Sequence, residues 1–563
     1  MKCFKTKSMC FMVFALLAFT YFSDVATAKT MEKGKPHNVI IIIADGCGSE
    51  HYTLARWFKG SPLSIDAILV GGVKTFIADS VVADSAPTAT AYATGYRTSD
   101  KLIGLGPKAG SLTILTEPTP VMRYKPLATV LEGARLRGMA TGIVSTSRVS
   151  HATPAGYIAH VPSRSQEDTI MEQAVYQNID VVMGGGGQYL LPKSAGGKRT
   201  DGENLKSVLR KKGYILAQSR DDLTAFVTGR LFGMFSESHM EPEIDRQEFA
   251  PKQPSLEEMT IKAIEILSQK RGSKGFFLMV EASQVDWAAH ANDPAHLMSD
   301  LMQFDRAVKA ALDFAKKDGN TLVLALSDHN TGGMSIGNYN TSNTYSQMKL
   351  EQLLNPIRKM KLSAPGLLRK VGNDKTPEKI KQVVKEYWDI DITDEDANAI
   401  IAISLRDKDD PYNGFGEVLC PKYTTIGWST HGHTGGDVPL FAYGPKSPHG
   451  LLDGPEIGKV TADALGIDLN RLNGRLFVEA REVFVEGSVM VDKTDAENPV
   501  VRIAYGNSAA ELPTDKNILR INGAASVLEG VVVYIAETDK AYLPLQAVYA
   551  IKGIKSALPA ISK

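Results

Sequence analysis

Carboxylates and imidazoles gather where this chain enters or leaves its short apolar runs: Asp45, Glu281, Asp286, His290, Asp328, His329 and His433. Histidine and carboxylate without cysteine is the donor set that zinc and harder divalent ions require. Asp286 and His290 are four residues apart, the separation that puts two side chains on one face of a helical turn. Asp328 and His329 form an adjacent pair. His431 stands only two residues before His433 and reads as a loop residue, and His160 reads as structural. A nucleophile accompanies them in Asp84-Ser85-Ala86-Pro87-Thr88-Ala89-Thr90-Ala91. The small residues after Ser85 favour a helix, so its hydroxyl would stand at a helix N-terminus, where unpaired N–H groups and the dipole attract an anion. Taken singly, a His–Asp pair is an ordinary hydrogen bond and a serine an ordinary N-cap. Together they describe chemistry on an anion held by divalent cations.

The elements that must position these residues alternate in type. Val- and Ile-rich runs occur at Asn38 to Ala44, Thr141 to Val144, Asp180 to Met183, Phe276 to Val280, Thr321 to Leu326 and Val438 to Tyr443, which is how a parallel sheet buried on both faces reads. Between them, Tyr124 to Arg137, Ser255 to Gln269 and Asp300 to Lys317 carry apolar residues at helical spacing, as crossover helices do. The expected fold is α/β, a three-layer αβα sandwich around a large, mostly parallel sheet. Ligands of such sheets bind beyond the carboxyl ends of the strands, which is where the candidate residues fall. From about residue 337 to 422 the sequence becomes charged and helical, an insertion lying over the main sheet. After Phe477 strand-like stretches at Val500 to Tyr505, Val531 to Ile535 and Leu543 to Tyr549 predict a small β-rich C-terminal module, 478–563, following a catalytic domain over 29–477.

With 43% hydrophobic and 22% charged residues among 563, the chain is globular in composition. Its 63 basic residues balance 63 acidic ones, so net charge points to neither nucleic acid nor an anionic membrane as partner. Residues 1–28 read as an export signal: Lys2, Lys5 and Lys7, an apolar stretch from Cys10 to Phe22, then Ala26-Thr27-Ala28 for cleavage. The mature protein is expected in the periplasm or outside the cell, with no stable membrane insertion. Cleavage leaves Cys47 and Cys420, which are not expected to bond; Cys47, in the tight turn Asp45-Gly46-Cys47-Gly48, reads as a small buried thiol.

At the level of motifs the chain resembles the secreted, metal-dependent alkaline phosphatases, from about His37 to Gly444. The resemblance is carried by Asp45-Gly46-Cys47-Gly48, Asp84-Ser85-Ala86, Ser150-His151-Ala152-Thr153-Pro154 through Ser163-Arg164, Val280-Glu281 through Asp286-Trp287-Ala288-Ala289-His290, Ser327-Asp328-His329 and His433-Thr434-Gly435, in the family's order. It implies hydrolysis of small phosphate monoesters through a phosphoserine at Ser85, commonly by a homodimer. It also implies two zinc ions and one magnesium. One zinc would be held by Asp286, His290 and His433, the second by Asp45, Asp328 and His329 with Ser85 as exchangeable ligand, and the magnesium by Asp45, Thr153 and Glu281. Arg164 would offer a solvent-facing planar fork to two phosphoryl oxygens. Where the best-known bacterial pattern has Asp and Lys near the third ion, this chain has His151 and Trp287, a pair that resembles some cold-adapted bacterial members.

Rival readings are a sulfatase, a phosphodiesterase, or an inert secreted binding protein whose C-terminal module does the work. A sulfatase needs Cys or Ser in a C/S-x-P-x-R frame, and here Ala89 replaces the arginine. A diesterase must leave room for a second ester group, which Arg164 and Glu281 would crowd. An inert relic would be expected to have lost ligands, and the set is complete.

Overall fold

The computed structural model describes residues 36–270 and 274–562; the expected export signal lies outside them. Ten strands form the central sheet: β1 (Asn38–Ala44), β2 (Leu69–Lys74), β3 (Ala140–Arg148), β4 (Val181–Gly185), β5 (Tyr214–Ala217), β6 (Arg230–Ser236), β7 (Phe276–Ala282), β8 (Thr321–Leu326), β9 (Val438–Tyr443) and β10 (Gly450–Asp453). Their order is β10-β2-β9-β8-β1-β7-β3-β4-β6-β5. β1 is central, paired in parallel with β7 on one side and β8 on the other. Every residue of β1 is buried, and successive side chains feed opposite faces: Ile40 and Ile42 join one core, Val39, Ile41 and Ile43 the other.

β9 departs from the expected parallel arrangement and runs antiparallel to both β8 and β2. That reversal matters for the site. A residue preceding a strand reaches the carboxyl edge of the parallel strands only if its own strand runs backwards, and so His433, ahead of β9, meets Asp328 and His329, which follow β8.

One face of the sheet carries α1 (Ser49–Lys59), the helix Leu256–Lys270 and α5 (Pro294–Asp318); the other carries α2 (Ser85–Thr94) and α3 (Ala152–Ile158). Between β7 and α5 lies the short α4 (Gln284–His290). The expected helix from Tyr124 is shorter, Val130–Leu136, because Thr129 caps it while Tyr124 takes a left-handed φ of 53° and Pro126 follows. Within the insertion, five helices run from Leu350–Lys359 to α6 (Asn413–Tyr423). They pack chiefly against one another, with Leu350–Lys359 resting on α1 and α5, and Leu353, Val384, Trp388 and Phe415 extend the core of that face.

The C-terminal segment forms a five-stranded antiparallel meander over Ser488–Val527 and a three-stranded sheet that includes Val533–Ile535 and Lys540–Leu543. The stretch Leu543 to Tyr549, read above as a strand, is instead the helix Leu545–Lys552. Pro544 starts it, Gly553 ends it in a left-handed turn, and Ala547, Val548 and Ile551 face the core at helical spacing. The segment has a core of its own around Phe484, Val501, Leu512 and Leu543, yet Val531, Val533 and Ile535 belong to the core beneath the main sheet. Lys516 seals the junction, its ammonium 3.0 Å from Glu172 and 2.9 Å from Glu203. Burial pushes the Glu172 carboxyl up to about 8, so that pair depends on its lysine. Lys516→Ala should cost about 1.5 kcal/mol of stability, the worth of a hydrogen bond to a charged group, because Arg199 stays 3.4 Å from Glu172 and the Tyr176 hydroxyl still donates to Glu203, with kcat per folded molecule unchanged; a melting temperature equal to wild type would refute this anchoring.

Candidate metal centre

The turn after β1 brings the first carboxylate into place. Gly46 has φ +67°, and a Cβ there would sit 2.5 Å from Asp286 Oδ1 and 2.7 Å from Thr331 Oγ1, so only glycine lets the two strand ends close up. Gly46 N donates to Asp328 Oδ1 at 3.1 Å, and Cys47 N donates to the Ser327 hydroxyl at 2.8 Å. Cys47 is a buried free thiol, as expected, and so is Cys420.

Two clusters result. Asp45, Asp328 and His329 converge in one, with His329 Nε2 3.4 Å from Asp45 Oδ1 and 3.3 Å from Asp328 Oδ2. Asp286, His290 and His433 converge in the other, with His290 Nε2 3.1 Å from Asp286 Oδ2 and 3.2 Å from His433 Nε2. They adjoin, since the His329 and His433 rings stack at 3.8 Å. Each imidazole is oriented through its other nitrogen: His433 Nδ1 donates to Ala83 O at 2.8 Å, His290 Nδ1 to His431 O, and His329 Nδ1 lies 3.3 Å from the Thr331 hydroxyl. Held this way, the Nε2 atoms face inward with lone pairs for a cation.

Ser85 opens α2, behind Asp84 at the N-cap, and its Oγ lies 3.1 Å from His329 Nε2. Arg164 differs from the solvent-facing side chain expected. It is 23% exposed, and its Nη1 donates to Asp84 Oδ1 at 2.5 Å while Nη2 donates to His151 Nε2 at 3.0 Å. The neighbour of the nucleophile thus fixes the arginine, a role that the motif Asp84-Ser85-Ala86 placed in view without revealing. Thr153 Oγ1 donates to Asp45 Oδ2 at 3.5 Å, and Glu281 Oε2 accepts from Ser145 at 2.5 Å and Ser147 at 3.1 Å. His151 and Trp287 meet edge to face at 5.5 Å. Sequence reasoning missed His239, which packs 4.1 Å from Trp287 and 5.3 Å from His151 and belongs to no motif. Burial, then Arg164, holds His151 well below the usual imidazole range, so it stays neutral and accepts from the guanidinium.

Asp45 Oδ1, Asp328 Oδ2 and Glu281 Oε1 are buried without a hydrogen-bond partner. Burial, and then the facing Asp328, Asp286 and Glu281 carboxylates, push Asp45 well above the carboxylate range. Such a hole lacks positive charge, and hard divalent cations fit its donor set. Burial opposes the charge on His290 as well, but Asp286 outweighs it and raises the imidazole to about 9. A folded value above the unfolded 6.5 stabilises fully below pH 6.5 and is lost as pH rises through about 9. With its ring 31% exposed, the cation-free protein should lose about 2 kcal/mol between these limits. Thermal denaturation after chelation, from pH 6 to 10, checks this, and a flat profile would contradict the pairing.

Comparison with known proteins locates these residues within one family. The family model described as alkaline phosphatase matches residues 36–467. Alkaline phosphatase 4 of Bacillus subtilis is 34% identical over 75% of this chain and 87% of its own length. The crystal structure of Thermus thermophilus alkaline phosphatase superposes with a TM-score of 0.68 at 25% identity, covering 78% of this chain and 95% of that one. A histidine-to-aspartate variant of the alkaline phosphatase of the Antarctic bacterium TAB5, solved with magnesium in its M3 site, gives 0.53 at 25% identity, covering 77% and 98%.

Proposed function

The chain belongs to the alkaline phosphatase family, metal-dependent hydrolases of phosphate monoesters, and from that premise we propose that it is an exported enzyme that transfers phosphate to Ser85 and then to water. The observation that carries the reading is the convergence of two three-residue clusters on the Ser85 side of the carboxyl edge. Asp286, His290 and His433 would hold one zinc and Asp45, Asp328 and His329 the other, with magnesium at Asp45, Thr153 and Glu281. When bound, these cations supply the positive charge that favours the Ser85 alkoxide and offsets the charge growing on the departing alcohol. Ser85 Oγ attacks phosphorus in line with that alcohol, and the first N–H groups of α2 face the phosphoryl oxygens. Arg164 grips two of those oxygens, its plane set in advance by Asp84 and His151. Small phosphate monoesters are the proposed substrates, and the active form is proposed to be a homodimer. No helix among the described residues is long and apolar enough to cross a membrane.

The test is zinc and magnesium content of the purified mature protein, with hydrolysis of p-nitrophenyl phosphate before and after chelation. Bound metal and chelator-sensitive turnover are expected, and a metal-free protein without such turnover would refute the reading. Arg164→Ala should raise the inhibition constant of inorganic phosphate by about tenfold or more, because a charge-assisted hydrogen bond is worth ~1.5–3 kcal/mol. An unchanged constant would remove Arg164 from the phosphate site.

A further inference from the structure

The insertion has no part in the proposed chemistry, yet its last helix closes on the back of a candidate ligand. Resting on the zinc reading above, we propose that α6 is the outer scaffold of the Asp286–His290–His433 site and that Glu417 and His431 are positioning residues for His290.

The contact begins with a reciprocal pair. His290 Nδ1 donates to His431 O, and His431 Nδ1 donates to His290 O at 2.6 Å, joining segments 141 residues apart. His290 Nε2 is left as the ring nitrogen directed at Asp286 and His433. The far side of the His431 ring meets the insertion, where Nε2 lies 3.1 Å from Glu417 Oε2. Arg406 Nη2 donates to the same oxygen at 3.0 Å and fixes the carboxylate.

Two more contacts of α6 clamp the turn that ends α4. Cys420 Sγ donates to Asn292 O at 3.1 Å. One turn earlier, a Cβ on Gly416 would lie 2.0 Å from Ala291 O and 2.9 Å from Asn292 O, an approach that only glycine permits. The helix is therefore fitted to the backbone directly after His290. A metal-binding imidazole needs its second N–H held in place, and partners that do this are commonly worth 10–100-fold in metal affinity. The chain from Glu417 through the His431 ring and carbonyl to His290 Nδ1 performs that task. Exposed pairs such as Arg406–Glu417 add little to overall stability, so a defect at Glu417 should appear in zinc retention rather than in folding.

The experiment measures zinc affinity of wild type, Glu417→Gln, Glu417→Ala and His431→Gln by competition against a chelator of known affinity, alongside the melting temperature of each chelator-stripped protein. The expected result is about tenfold weaker binding of one zinc equivalent in each variant, the second equivalent unaffected, and an unchanged cation-free melting temperature. Cobalt(II) substituted into the loaded proteins should show an altered visible spectrum in the variants. Wild type that holds zinc while the variants match its affinity within twofold would overturn this inference and leave the proposed function standing. A weaker affinity that merely follows a lower cation-free melting temperature in Glu417→Gln, the variant that keeps side-chain size, would also overturn it. Wild type that takes up no zinc would overturn the metal reading itself and this inference with it.

Discussion

Replacing Ser85 with alanine is expected to lower kcat by about 10³-fold or more, since the covalent route loses its nucleophile, while bound cations remain at the wild-type level. The separation follows from geometry. Both clusters consist of three side chains other than Ser85, whose hydroxyl touches the nearer one only through His329 Nε2. Helix α2 begins with Asp84 at the N-cap, so losing the Ser85 hydroxyl removes no cap. Residual slow hydrolysis should survive, because the anion pocket and Arg164 stay intact. Steady-state kinetics, metal analysis and acid-quenched labelling with a phosphorylated substrate read the three parts of the claim. Phosphate trapped on any residue other than Ser85 in wild type, or near-normal turnover in the variant, would defeat the assignment.

Asp45→Asn should have the second largest effect, and on two quantities of opposite sign. One Asp45 oxygen faces His329 at 3.4 Å and the other meets the Thr153 hydroxyl at 3.5 Å, so under the proposed assignment this carboxylate would serve the second zinc site and the magnesium site together. The amide keeps the shape but removes the charge and turns a donor toward the cluster, so cation binding at both sites should fall and kcat drop by about 10²–10³-fold, as when one electrostatic stabiliser of a transition state is lost. Without cations the variant should be more stable than wild type at neutral pH, because burial and three facing carboxylates penalise the Asp45 charge. Metal analysis, kinetics and melting after chelation test this; a cation-free variant no more stable than wild type would mean that Asp45 carries little of the repulsion.

The centre of the sheet was legible because its strands are buried on both faces. Asn38–Ala44 and Thr321–Leu326 are short, continuous apolar runs that stop at Asp45 and Ser327, and their length and polar boundaries favour a buried strand over a helix. Candidate ligands were legible because they cluster within about ten residues of the ends of such runs, Asp45 and Glu281 directly at them. Direction was not, because an apolar run carries no mark of which way its neighbours point, and Val438–Tyr443 was assigned with the parallel strands although it opposes them. Leu543–Tyr549 failed differently: over seven residues its apolar spacing fits either period, and Pro544 with Gly553 decided for the helix. Contacts such as Asp84 to Arg164, His239 to Trp287 and Glu417 to His431 come from segments 80 residues apart or with unrelated patterns, and they exist only once the sheet has brought those loops to one edge.

The centrality of β1 has a consequence for how the chain reaches this state. Its two hydrogen-bonding neighbours begin at Phe276 and Thr321, 238 and 283 residues downstream of Asn38. At roughly 5–20 residues per second of synthesis, the most apolar strand of the protein exists for on the order of tens of seconds before either neighbour has been made. Over that interval Val39 to Ile43 is an unpaired, aggregation-prone edge, and closing such long loops ranks among the slow steps of folding. The element that ends up most deeply protected is therefore one that a nascent chain must shield until β7 and β8 arrive.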